Sequence, residues 1–158
     1  IGPEIAAEGL ERIRGYVGGG GPFENWAEAA NAVKAQGPDI FPDYVDADWM
    51  RFAKRIFQEN PDGKIAFAYD LAISQAVKDE DPKAVPPDLW AQFRALSDVP
   101  VLVVRGALSD LLAPEIAAQM CAEHPNCRLA EIPRVGHAPM LSEPASFAAI
   151  DAFLKDVK

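Results

Sequence analysis

The run Val101-Leu102-Val103-Val104 is apolar at every position, with no polar residue alternating through it. That is the pattern of a strand buried on both faces, and such strands belong to parallel sheets covered by helices. Beyond a loop, Pro114 starts a helical spacing that puts Ile116, Ala117, Met120 and Cys121 on one face, and Arg128 to Ile132 predicts a second strand. The segment from Val99 to Pro133 therefore reads as strand, helix, strand. A right-handed crossover makes two such strands parallel and brings both exits to one edge of the sheet. Pro144 then opens a last helix, with Phe147, Ile150, Phe153 and Leu154 on one side and Ser142 or Glu143 as its cap.

Earlier in the chain the spacing is mainly helical. Ile5, Leu10 and Ile13 predict a helix within Ile1 to Val17, started by Pro3, and the glycines from Gly18 to Gly21 end it. Asn25 to Gln36 carries Trp26, Ala29, Ala30 and Val33 on one side and stops at Gly37-Pro38. A further helix is capped by Asp46 or Asp48, carries Trp49, Phe52, Ala53, Ile56 and Phe57, and is closed by Asn60-Pro61. Asp62-Gly63 reads as a turn, Lys64 to Tyr69 as a short strand and Leu71 to Lys78 as a helix. The charged, proline-rich stretch from Asp79 to Pro87 reads as a solvated linker, and Asp88 to Leu96 as a helix leading back to the sheet.

Composition narrows the functions open to such a chain. Its 158 residues are 49% hydrophobic, enough to build a core. A net charge of −9 argues against a nucleic-acid partner, which needs clustered Lys and Arg. There is no apolar span of about 18 residues and no charged-then-apolar leader, so no membrane is expected and the cytoplasm is the default compartment. Cys121 and Cys127, with only His124 and His137 to join them, do not make a metal-site spacing, and they read as structural thiols. His124 falls at a helix end and reads as structural too. The Gly18 to Gly21 run lacks the strand before and the Gly-Lys-Ser/Thr after that a phosphate loop requires, so it reads as a hinge. No metal and no cofactor is called for.

Candidate chemistry lies at the two strand exits. Asp110 follows the first strand in Arg105-Gly-Ala-Leu-Ser-Asp110, and His137 follows the second in Val135-Gly-His-Ala-Pro-Met140. If the strands are neighbours, about 4.8 Å apart, short loops bring carboxylate and imidazole together. A carboxylate accepting from one ring nitrogen fixes the tautomer, leaves the other nitrogen free as a base and stabilises the imidazolium. The competing readings are a helix cap for Asp110 and an ordinary loop histidine for His137. Asp70 and Asp151 read as surface or cap acids, and neither Ser109 nor Ser142 sits on a strand-to-helix elbow, so neither is put forward as a nucleophile.

Pro100 to Asp110, followed by Gly136-His-Ala-Pro-Met-Leu-Ser-Glu-Pro144, resembles the last two strands of an α/β-hydrolase, with the acid after the penultimate strand and the histidine after the last. With less force, Ile1-Gly-Pro-Glu-Ile5 is similar to the segment that follows the sixth strand in those enzymes, and Phe23 to Trp90 looks like their helical cap. The resemblance implies a partial α/β fold in three parts: residues 1–21 as connector and hinge, 22–87 as helical cap or lid, and 88–158 as the C-terminal part of the hydrolase core. It also implies a serine nucleophile on a Gly-x-Ser-x-Gly elbow, a motif that occurs nowhere in the chain. By this reading the earlier strands and the elbow are absent, and the chain alone is inactive.

The expected activity of the complete protein is hydrolysis of a small, apolar ester or related acyl substrate, with Asp110 orienting His137 and His137 as general base. Leu108, Leu111 and Met140 flank the pair as pocket walls. Trp49 either lines the pocket or packs the cap. The expected partners are a small-molecule substrate and the N-terminal half of the same protein, or a second copy covering the open sheet. Three alternatives stand beside this: a non-catalytic binding fragment, an Asp-nucleophile dehalogenase or epoxide-hydrolase branch of the same fold, and a redox or nucleotide-binding domain, which the glycine context disfavours.

Overall fold

The computed structural model describes residues 2–17, 19–79 and 88–157. Its elements, in order, are α1 (Ala7–Tyr16), α2 (Trp26–Gln36), α3 (Asp46–Ile56), β1 (Phe57–Glu59), β2 (Ile65–Phe67), α4 (Ala72–Asp79), α5 (Trp90–Arg94), β3 (Val101–Gly106), α6 (Pro114–Glu123), β4 (Cys127–Ile132) and α7 (Pro144–Asp156). The chain divides into two compact units, Ile1–Glu11 with Val85–Lys158, and Arg12–Ala84.

In the first unit β3 and β4 are parallel and in register from Val101↔Cys127 to Gly106↔Ile132, with α6 as the crossover. Alternation sorts the strands into two faces. Val101, Val103 and Cys127 meet the core of Trp90, Phe93, Leu112, Ile116, Ala117 and Met120 on the α5–α6 side. Arg128, one step along β4 and so on the opposite face, ion-pairs with Asp156 at 2.6 Å and lies under Phe153 of α7. Of the predicted sheet-facing residues on α6, Ile116, Ala117 and Met120 are buried and Cys121 half-buried. On α7 the apolar side is far from covered, with Phe147 and Leu154 exposed. His124 is buried, with Nε2 2.9 Å from the Leu96 carbonyl and Nδ1 accepting from the Asn126 N–H. Through these two contacts the ring brackets the end of α6 to the segment before β3.

The chain's start departs from the expected helix. Residues 2–6 are not helical, and Pro3 does not start α1. The Ala6 N–H is taken by the Leu111 carbonyl at 3.1 Å, and a Cβ on Gly9 would collide with the Asp110 backbone, so this segment is shaped by its seat on the β3 exit loop.

In the second unit α2 packs on α3. Asn25 caps α2 as its sequence predicts, its side chain accepting the Glu28 N–H at 3.0 Å. For α3 the cap differs: Val45 holds the N-cap position, Asp48 accepts the Val45 N–H at 3.0 Å, and Asp46 sits inside the first turn. The helix also ends earlier than Asn60-Pro61 suggests. From Phe57 the chain extends into β1, which pairs with β2 across a turn where Asn60 Oδ1 accepts from the Asp62 and Lys64 N–H groups and Gly63 adopts φ 75°. Phe57 packs against its cross-strand partner Phe67 with ring centroids 4.8 Å apart, so cross-strand aromatic contact overrides the helical spacing. Gly18 and nearly all of the predicted linker, residues 80–87, lie outside the described residues.

Candidate active site

The site is built where β3 and β4 end. The two exits are stitched together by backbone: the Ala107 N–H donates to the Ile132 carbonyl at 2.8 Å and the Leu108 N–H to the Val135 carbonyl at 2.9 Å. This close approach requires glycine at Gly106, because a Cβ there would run into the carbonyl oxygens of Val135 and Gly136. Ala6 and Gly9 back the first exit from behind.

On this platform Ser109 Oγ lies 3.4 Å from His137 Nδ1 and accepts the Leu112 N–H at 3.1 Å. Ser109 is 8% exposed, and its neighbour Asp110 is half-buried in the same loop. His137 is half-buried too, three residues before Met140, whose N–H donates to Glu143 Oε1 at 2.7 Å. Leu108 is exposed and Leu111 is 3% exposed. Trp49 belongs to the other unit, 3% exposed among Phe41, Tyr44 and Phe52.

A cavity of about 350 Å³ runs along β3, lined by Val101 to Gly106, Ser109, Leu112, Met120 and the His137-Ala138-Pro139 turn. Successive strand residues point to opposite faces. Only a groove along the strand's edge is bordered by six in a row, and β4 occupies the other edge. The cavity is therefore a slot along the free edge of β3 that reaches the His137 turn.

Sequence reasoning weighed Ser109 only as a nucleophile and passed over Arg105. Ser109 Oγ reaches His137, and Arg105 is a buried guanidinium under the same loop. The second left a signal, a charge inside an otherwise apolar strand.

Remote from the exits, the Cys121 and Cys127 sulfurs are 2.9 Å apart at the start of β4. Burial first, then the hydrogen bond and the charge of Cys121, push the Cys127 thiol up to about 12. Among the described residues no group of three or more His, Cys, Asp or Glu is placed to hold a metal ion, and no helix is long and apolar enough to cross a membrane.

Two parallel strands joined by a crossover helix, with a histidine after the second and an acid after the first, give the arrangement in which the sequence resembles the end of an α/β-hydrolase sheet. Residues 2–150 match the alpha/beta hydrolase family, and the chain belongs to it. It is 31% identical over 159 residues to the 3-hydroxybutyrate-oligomer hydrolase of Cupriavidus necator, a match covering 97% of this chain and 54% of that protein. It superposes on an alpha/beta hydrolase from Novosphingobium aromaticivorans with a TM-score of 0.85 and 45% identity, covering 98% of this chain and 54% of the other. The fold is shared with E-2-(acetamidomethylene)succinate hydrolase at a TM-score of 0.75 and 22% identity, over 98% of this chain and 55% of that enzyme. The chain thus spans about half the length of the relatives it matches, as a C-terminal portion of the fold.

Proposed function

We propose that this chain is the acid- and histidine-bearing half of an ester hydrolase, completed by an N-terminal portion that brings a serine nucleophile. The observation that carries the reading is His137 at the β4 exit, joined to the β3 exit loop through Ser109 within an alpha/beta hydrolase sheet. Ser109 Oγ, already accepting from the Leu112 N–H, has a second lone pair for a proton on Nδ1. Asp110, in the same loop, supplies the negative charge. A proton held on Nδ1 leaves Nε2 as the base that removes the serine proton as it attacks the ester carbonyl. His137 then returns that proton to the leaving alcohol, and in the second step activates water against the acyl-enzyme.

The slot along β3 supports the partner in this scheme. An extended segment of the N-terminal portion pairs with the free edge of β3, which satisfies the strand's backbone groups and ends beside His137. The similarity to a 3-hydroxybutyrate-oligomer hydrolase supports an ester of a short hydroxy acid as substrate.

The test uses p-nitrophenyl butyrate and the 3-hydroxybutyrate dimer. The longer polypeptide joining both portions is expected to hydrolyse them and to be blocked by a serine-directed phosphonate. The chain by itself should turn over neither, and adding the N-terminal portion separately should restore turnover. Equal activity of the isolated chain would contradict the divided site; an inert longer polypeptide would contradict ester hydrolysis.

A further inference from the structure

We propose that Arg105 is the positioning residue of the acid loop, its guanidinium holding residues 107–112 in the shape that sets Asp110 and Ser109 toward His137. The assignment rests on the triad reading of Asp110 and His137.

Arg105 lies one residue before the end of β3, on the face that carries Val101 and Val103, and its side chain is 4% exposed. A buried charge is costly unless it is hydrogen-bonded and paired. Here nearly all the pairing comes from the loop itself. Nε donates to the Leu112 carbonyl at 2.7 Å, one terminal nitrogen to the Ala107 carbonyl at 3.3 Å, and the other to the Ser109 carbonyl at 3.3 Å. Three carbonyls of one six-residue turn thus converge on one cation. The charge is balanced at the rim by Glu131, its direct cross-strand partner, at 2.8 Å.

The geometry explains why the residue is arginine. A guanidinium is planar and its donors point in fixed directions, so carbonyls bound to it are fixed relative to one another; an ammonium is a point charge that sets no such relation. Two of the anchored carbonyls, those of Ser109 and Leu112, bracket Asp110. They also belong to the two residues joined by the Leu112 N–H to Ser109 Oγ bond, and that same Oγ faces His137 Nδ1. Arg105 touches none of the reacting atoms. It acts through the loop.

The test compares wild type, Arg105→Met, Arg105→Lys and His137→Ala in the longer polypeptide with p-nitrophenyl butyrate, each rate referred to the folded fraction. Because His137 serves both acylation and deacylation, a misplaced acid loop should slow both by the same factor. For Arg105→Met we expect kcat to fall about 10- to 100-fold with KM within about threefold, the scale of a roughly ångström misplacement. Arg105→Lys, which keeps the charge but not the fork, should recover only part of that loss. A kcat for Arg105→Met within about threefold of wild type, or full recovery in Arg105→Lys, would overturn the assignment; so would a lowered Tm with unchanged kcat per folded molecule. If Arg105→Met does not fold, Arg105→Lys decides by the same threefold line. The His137→Ala control separates the two claims. Near-normal turnover in that variant means the triad reading has failed, whereas an inactive His137→Ala beside a normal Arg105→Met removes Arg105 alone.

Discussion

Gly106 sets how close the two strand exits come. Its hydrogen faces the carbonyls of Val135 and Gly136, and the backbone bonds from Ala107 to Ile132 and from Leu108 to Val135 depend on that contact. Gly106→Ala forces a methyl group onto two carbonyl oxygens. An overpacked site of this kind typically costs about 1–3 kcal/mol, and the only relief is to part the exits. The expected outcome is a fall in Tm together with loss of turnover in the complete enzyme. A variant that kept both would show that the exits need not touch. Arg105 and Ser109 complete the picture at this scale. Both act on the loop through main-chain groups, Arg105 by donating to carbonyls and Ser109 by accepting an N–H. Such contacts leave no spacing in a sequence, so Ser109 carries no sign of its place there and Arg105 shows only as a charge inside an apolar strand.

At the scale of elements, the crossover unit was the most legible part. Val101 to Val104 is apolar without alternation, Pro114 and the spacing from Ile116 to Met120 mark the helix, and the observed β3, α6 and β4 follow those signals. The β1–β2 hairpin was only half visible. Ile56 and Phe57 continue the helical spacing of α3, so the switch to a strand depends on Phe67 across the ladder and on the Asn60 turn, both nonlocal to the helix. The α6–β4 junction carries a prediction of its own. The Cys127 thiol, pushed up to about 12, keeps its proton in the folded protein well above the pH at which an unfolded thiol loses it, about 8.5. A raised folded value means stability that is present below pH 8.5 and lost as pH climbs toward 12. Thermal melts from pH 8 to 10.5 should therefore show a steeper decline for wild type than for Cys127→Ser. Parallel slopes would mean that Cys127 is not protected from ionising.

For the molecule as a whole, the unit that carries β3 and β4 leaves a strand edge and apolar side chains uncovered. Beside β3 runs the slot, while Leu129, Phe147 and Leu154 expose apolar area on β4 and α7. Surfaces of this kind call for a cover, which the N-terminal portion would supply in the function proposed above. The second unit has its own core around Trp49 and its own hairpin. In the proposed reaction the chemistry is concentrated at one position. His137 is placed by β4, held near Ser109 and asked to transfer protons in both steps of the proposed reaction. The decisive measurement is kcat of His137→Ala against wild type in the longer polypeptide, using p-nitrophenyl butyrate and checking by circular dichroism that both are folded. Loss of a triad member should lower kcat by about 10⁴-fold or more; a folded variant with turnover near that of wild type would contradict the account.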